Sequence, residues 1–185
     1  MIYLASKSKR RRELLAQAKI PFRIISSGFE EHTIPGNPIL TVMTNALGKA
    51  TYAKVKADKG IILGADTIVY LKNKILGKPK NKKDAAKMLS NLSGTKHKVY
   101  TGVALFDLES KSWKQFCVES KVRMKKLSRK EIKQYISKVN PLDKAGGYAI
   151  QEHGDKLIQK ITGSYTNVVG LPMEALKKAL KEILK

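Results

Sequence analysis

The chain has 185 residues, is 42% hydrophobic and 6% aromatic, and carries 37 Lys+Arg against 15 Asp+Glu, a formal net charge of +22. Apolar runs recur along its whole length, which excludes an intrinsically disordered chain, and none approaches the roughly 20 apolar residues that span a bilayer. Its single cysteine, Cys117, excludes an intramolecular disulfide, and Met1–Ala5 has no basic region ahead of it, so a cytoplasmic chain without signal peptide is expected.

In chain order, Ile2–Ala5 reads as a short buried strand, and Leu14, Leu15 and Ala18 mark a helix over about Lys9–Lys19. Phe22–Ile25 reads as a second strand. Val42, Ala46, Leu47, Ala50 and Ala53 fall on one face of a helix starting near Ile39. Ile61–Leu63 is a continuous apolar run, as a fully buried strand shows. Ile68–Leu71 and Ile75-Leu76 form a hairpin around Lys72–Lys74, and Ala85, Ala86, Met88, Leu89 and Leu92 give a further helix.

Val99–Phe106 and Trp113–Met124 then read as a long antiparallel pair. Ser128-Arg129-Lys130-Glu131 is a capping-box pattern opening a helix through Lys138. Tyr148–Ile150 and Leu157–Ile161 read as short strands, and Pro172 starts a closing helix with Leu176, Leu180 and Leu184 at one-turn spacing. The sum is a mixed-sheet α/β protein with long central hairpins.

Three constellations carry chemistry. Ser6-Lys7-Ser8-Lys9-Arg10-Arg11 lies between a strand and a helix start, where free backbone N–H groups, the helix dipole, hydroxyls and guanidinium groups suit a phosphate. The same residues read equally well as a serine cap followed by exposed cations. Gly64-Ala65-Asp66-Thr67 follows the apolar run Ile61–Leu63, so Asp66 is expected at a strand end facing a cleft, holding Mg²⁺ or activating water, or else as a turn aspartate. Lys78 follows in the Gly77-Lys78-Pro79 turn. Asp143-Lys144-Ala145-Gly146-Gly147-Tyr148-Ala149-Ile150-Gln151 offers two glycines for close approach to a ligand, plus a carboxylate, an ammonium and the Gln151 amide. The alternative there is a glycine hairpin with a polar rim.

Other chemistries fit poorly. His32, His97 and His153 lack zinc-ligand spacing, and no Walker A, G-x-S-x-G or G-x-G-x-x-G pattern occurs. Cys117 sits mid-strand and reads as a packed residue. The lysines are scattered rather than gathered on one element, which favours a solvated lysine-rich surface over a nucleic-acid site.

Taken together and in this order, L-A-S-K-S-K-R-R, I-L-G-A-D-T-I-V, L-G-K-P, L-S-G-T-K-H-K-V-Y-T-G-V, D-K-A-G-G-Y-A-I-Q and G-S-Y-T-N-V-V-G-L-P resemble the Maf family of nucleotide pyrophosphatases. The one clear departure is Lys9, where the family usually has proline. The resemblance implies an elongated α/β fold with a deep cleft, similar to inosine-triphosphate pyrophosphatases, with residues 1–185 as one domain of two lobes. It implies metal-assisted cleavage of a nucleoside triphosphate to monophosphate and pyrophosphate, with Mg²⁺ or Mn²⁺. By the same match, Asp66 is the catalytic base, with Glu31 an acidic site residue and Lys78 a catalytic cation; Glu31 and Asp66 supply hard oxygen ligands for the metal, or Asp66 orients the attacking water instead. Ser8, Arg10, Arg11, Lys49, Thr67, Asp143 and Gln151 bind substrate. Arg10, Thr67 and Gln151 match the subgroup preferring dTTP and UTP, the alternative being the same chemistry on the methylated or other nucleotides of a sister subgroup, and a homodimer is implied by the resemblance alone. Two other readings are a nucleic-acid module, from the charge, and a nucleotide-binding regulator of cell division; neither accounts for Glu31, Asp66 and Asp143 beside the basic loop. No specific nucleic-acid partner and no membrane partner are expected.

Overall fold

The computed structural model describes residues 1–54 and 57–184. A seven-stranded mixed sheet runs through it in the order β2-β1-β3-β5-β6-β7, with β4 (Lys74–Leu76) as a side pairing on β3. β1 (Ile2–Leu4) lies parallel to both β2 (Phe22–Ile24) and β3 (Ile61–Leu71), while β3, β5 (Lys96–Asp107), β6 (Trp113–Met124) and β7 (Ile158–Thr162) pair antiparallel. β3 and β5 are buried almost throughout because helices cover both faces, so that even polar residues in mid-strand are enclosed.

Several of the helices begin where a side chain satisfies free backbone donors, although Ser8 makes no such bond. α1 (Lys9–Gln17) starts at Ser8; α2 (Pro38–Ala53) starts with Pro38 in its first turn and Asn37 accepting from the Leu40 N–H. α3 (Lys82–Leu92) is capped by Asn81, and α4 (Arg129–Lys138) has both halves of the Ser128/Glu131 capping box. α5 (Gly154–Leu157), α6 (Tyr165–Val169) and α7 (Met173–Ile183) complete the chain.

The core divides along the long strands. One cluster joins Leu4, Leu14, Leu15, Leu63 and Leu105 to Leu171 and Leu176; another joins Val69, Leu71, Leu89, Leu92 and Val99 to Met124, Ile132 and Tyr135. α2 covers the opposite face of β3 and β5, with Ala46, Ala50 and Ala53 against Ile62 and Ala104. This contact is close enough to require two glycines. A Cβ on Gly64 would sit 2.1 Å from the Ala46 carbonyl oxygen, and one on Gly102 would sit 2.3 Å from that of Val42. Gly102 pairs directly with Asp66, so α2 is seated where Asp66 leaves the sheet.

Several expectations need correction. Asp66 is not at a strand end: Ile61–Leu71 is one 11-residue strand, and Asp66 lies in its middle. Gly64 stays inside the strand and accommodates α2. The hairpin turn is Lys72-Asn73, both with positive φ, and Lys74 already belongs to β4 (Lys74–Leu76). Tyr148–Ile150 is irregular, because it follows a 3₁₀ turn at Ala145–Gly147 that contains two left-handed glycines. Leu157 ends α5 rather than starting β7. Leu47 projects outward, 37% exposed, while Asn45 and Lys49 occupy the buried face of α2. Leu184 is exposed beyond α7, and α6 was not anticipated.

Candidate active site

A cleft of about 610 Å³ opens beside the middle of the sheet. It is lined by Ser6–Arg11, the segment after β2, Lys49, Asp66, Thr67, Lys78, Asp143, Tyr148–Ile150 and Gly170.

Its first wall comes from β3 and α2. The two-residue period of the strand sends Asp66 to the face covered by α2 and Thr67 to the other. Asn45 and Lys49, one helical turn apart, both point at Asp66. The Lys49 Nζ donates to Asp66 Oδ1 at 2.7 Å and to the Ala65 carbonyl at 3.1 Å, and the Asn45 Nδ2 donates to Asp66 Oδ2 at 3.0 Å. A second carboxylate reaches the same ammonium, with Glu31 Oε1 at 2.7 Å from Lys49 Nζ and Glu31 Oε2 at 3.3 Å from Lys78 Nζ. Partial burial pushes the Glu31 carboxyl up, but Lys49 and Lys78 together outweigh it and hold the group down at about 2. Glu31 is therefore ionised at neutral pH.

The basic loop splits into two roles. Ser8 occupies the cap position of α1 without a side-chain cap bond, and its N–H donates to Ser6 Oγ at 3.3 Å. Arg11 is turned inward, donating to the Gly170 carbonyl at 2.8 Å, Ser6 Oγ at 2.9 Å and Thr67 Oγ1 at 3.0 Å. Burial pushes its guanidinium down, opposed by the charges of Asp66 and Glu31. Arg10 reaches across the cleft to Asp143, with one bond to Oδ2 and one to the backbone carbonyl, both 3.1 Å.

The opposite wall is the segment Pro141–Gln151. Its Lys144 ammonium does not face a ligand. It is buried, donating to the Asn140 carbonyl and to Asp143 Oδ1 at 2.7 Å, with Glu152 at 3.1 Å. The glycines also serve the interior: a Cβ on Gly146 would meet Val69 at 3.1 Å, and one on Gly147 would meet Ala85 at 3.5 Å. The Gly146 N–H donates to the Gly77 carbonyl at 2.9 Å and so anchors the turn that carries Lys78. Tyr148 bonds His97 Nε2 at 2.6 Å, and the Ala149 N–H donates to the Tyr135 hydroxyl at 2.9 Å. Burial lowers His97 to about 4, so it is neutral.

The cleft thus brings together Ser8, Arg10, Arg11, Glu31, Lys49, Asp66, Thr67, Lys78 and Asp143. Gln151 is exposed and lies outside its lining, whereas its neighbour Ile150 lines it. Sequence reasoning missed Asn45 and the Phe29 segment. The signal for Asn45 was a polar residue one turn before Lys49 on an otherwise apolar helix face. Among the described residues no three His, Cys, Asp or Glu side chains converge as a metal cluster. Two carboxylates meeting at one point are nevertheless the hard-oxygen donor set that Mg²⁺ shares with substrate phosphates. Cys117 lies in β6, and burial pushes its thiol up to about 11, against a nucleophilic role.

A family model described as Maf-like protein matches residues 1–183. The dTTP/UTP pyrophosphatase of Citrifermentans bemidjiense is 47% identical over 183 residues, covering 98% of this chain and 95% of that protein. The protein of the same name from Carboxydothermus hydrogenoformans is 44% identical over 181 residues, covering 98% of this chain and 97% of that one. Among solved structures, the Staphylococcus aureus Ham1 protein aligns with a TM-score of 0.55 over 98% of both chains at 15% identity, a likeness of fold alone.

Proposed function

The chain belongs to the Maf family, and from that premise we propose that it hydrolyses dTTP and UTP to the monophosphates and pyrophosphate. The observation that carries the reading is the convergence of Asp66 and Glu31 on Lys49 inside a cation-rimmed cleft. A site for binding polyanions has no use for two carboxylates at its centre. A hydrolase does, because one must orient a water while cations take up the charge that moves onto the leaving pyrophosphate.

In this reading the triphosphate lies between the basic loop and Lys78. Asp66 is the base, its Oδ1 and Oδ2 each held by a donor from α2, so that it accepts a proton from the water attacking the α-phosphorus. Glu31 keeps Lys49 and Lys78 in place and remains ionised through the working pH range. Arg10 leaves Asp143 for phosphate, since both groups compete for the same guanidinium. Arg11, with three N–H groups used internally, positions Thr67 and the Gly170 carbonyl, and contributes its charge to the phosphates. A divalent cation held by Glu31 and Asp66 together with the phosphates would supply Lewis-acid neutralisation of the leaving group. Gln151 is retained as a base-reading group, working from the rim. A homodimer is proposed on family grounds.

The test is a nucleotide panel with Mg²⁺ or Mn²⁺, separating pyrophosphate from orthophosphate. Pyrophosphate release from dTTP and UTP ahead of CTP and the purines is expected. Orthophosphate alone would move cleavage to the γ-phosphate and overturn the mechanism.

A further inference from the structure

We propose that Asn45 is a positioning residue that holds the two site carboxylates in register, an inference that rests on reading Asp66 as the base and Glu31 as the carboxylate that works beside it. Glu31 belongs to an irregular segment between β2 and α2, and that segment has no strand or helix of its own to fix it. Besides the Lys49–Glu31 ion pair, three contacts dock it on α2. The Phe29 ring lies over Gly48, where a Cβ would come within 2.3 Å of the ring. Thr41 Oγ1 accepts from the Ile34 N–H at 3.0 Å. Asn45 takes both backbone groups of His32, the residue after Glu31: Oδ1 accepts from the His32 N–H and Nδ2 donates to the His32 carbonyl, each at 2.9 Å.

Of these three, the third also touches the chemistry. The remaining N–H of Asn45 Nδ2 goes to Asp66 Oδ2 at 3.0 Å. The amide is 3% exposed, with both donors used and its oxygen engaged. One side chain therefore ties the backbone beside Glu31 to the carboxylate of Asp66. Lys49, one turn on, bonds the same two acids by charge. The division of labour follows from chemistry. An ammonium is a point charge that tolerates many arrangements of its anions, whereas a planar amide with three fixed directions accepts one. Docking the segment needs no bond to Asp66, as Thr41 demonstrates, so the third bond of Asn45 has a use at the site.

The experiment compares kcat and KM on dTTP for Asn45→Ala, Asn45→Asp, Glu31→Gln and the double variant Glu31→Gln/Asn45→Ala. Ser93→Ala serves as a remote destabilised control that loses the bond from the Leu127 N–H. Asn45→Ala is expected to lower kcat by at least roughly tenfold with KM within about threefold, because geometry rather than ground-state binding is lost. On the Glu31→Gln background the further loss should shrink to less than about threefold, since two residues acting as one unit are not additive. Ser93→Ala should keep kcat within about twofold despite a lower Tm. Amide exchange at His32 should quicken in Asn45→Ala and stay slow in Asn45→Asp, which keeps the acceptor for that N–H; Asn45→Asp also covers the case in which the alanine variant does not fold. Wild-type-like kcat in both Asn45 variants, or a fully additive double variant, overturns the inference while leaving the pyrophosphatase reading intact. A wild-type protein that releases no pyrophosphate overturns both.

Discussion

The two walls of the cleft solve the same problem, holding polar groups away from bulk water, by different means. On the β3/α2 wall, charge is placed on rigid elements: Asp66 in mid-strand, Asn45 and Lys49 a helical turn apart, and Glu31 docked onto them. On the Pro141–Gln151 wall, irregular backbone is kept in shape from behind by Lys144, by the His97–Tyr148 bond and by glycines packed on β3 and α3. The first wall gathers its charges on packed elements. The second presents backbone, the side chains of Tyr148, Ala149 and Ile150, and the Asp143 carboxylate to the cleft. Rigid elements suit charge development, where a small misplacement is costly, and a supported loop suits recognition.

The sharpest way to break this contrast is Lys49→Met. Lys49 and Asp66 are 6% and 5% exposed, so the substitution leaves a buried carboxylate without its cation. A stability loss of about 3–5 kcal/mol is expected from denaturant unfolding at neutral pH. Next is Asp66→Asn, which keeps shape and burial. Turnover should fall by roughly 10²-fold or more, about 2.7 kcal/mol of barrier, while the folded protein persists. A fully active Asp66→Asn protein would move the base elsewhere.

Tyr148→Phe probes the other wall. It strands His97 Nε2, on a ring whose Nδ1 already has no partner among the described residues. Stability should drop by roughly 1–3 kcal/mol, with kcat on dTTP within a few-fold of wild type. If that substitution instead abolished turnover, the assignment of chemistry to one wall would fail.

Acid should separate the walls without mutation. His97 stays neutral in the fold down to about 4, against an ordinary 6.5. The unfolded chain therefore binds the extra proton first, and the contribution of His97, complete above 6.5, is lost as pH falls towards 4. Glu31, held at about 2 against 4.5, gives a contribution present above 4.5 and lost between there and 2. Thermal unfolding should show His97→Phe flattening the upper window and Glu31→Gln the lower one. The smallest effect belongs to Gln151→Ala. Its amide starts outside the cleft lining, so the UTP:CTP ratio should narrow by less than about threefold, the scale of one weak hydrogen bond.

Much of this architecture is written locally. The capping box at Ser128–Glu131, the alternation from strand to helix and the unbroken apolar run of Ile61–Leu63 depend on neighbours in sequence, and each appears where its pattern places it. Local rules placed Asp66, after Gly64-Ala65, at a strand end and read Gly146-Gly147 as room for a ligand or a hairpin, because a glycine signals close approach without saying what approaches. The visitor at Gly64 is α2, and at Gly146 and Gly147 it is β3 and α3.

Arg10, Arg11, Asp66, Lys78 and Asp143 were legible in short motifs of the sequence, whereas Glu31 and Lys49 were reached only through the family resemblance. Their partnerships were not legible. Arg10 with Asp143 spans 133 positions, Arg11 with Gly170 spans 159, and Lys49 gathers two carboxylates from opposite sides of α2 in the chain. Lys144 looks like a ligand group by type and is an internal strut by placement. By itself the sequence determined which elements form and which chemistry is present, because those follow from propensity and composition over a few turns or strands. Only the tertiary structure decided which charges face the cleft and which are consumed holding it open, because that depends on packing distances between segments the chain keeps far apart.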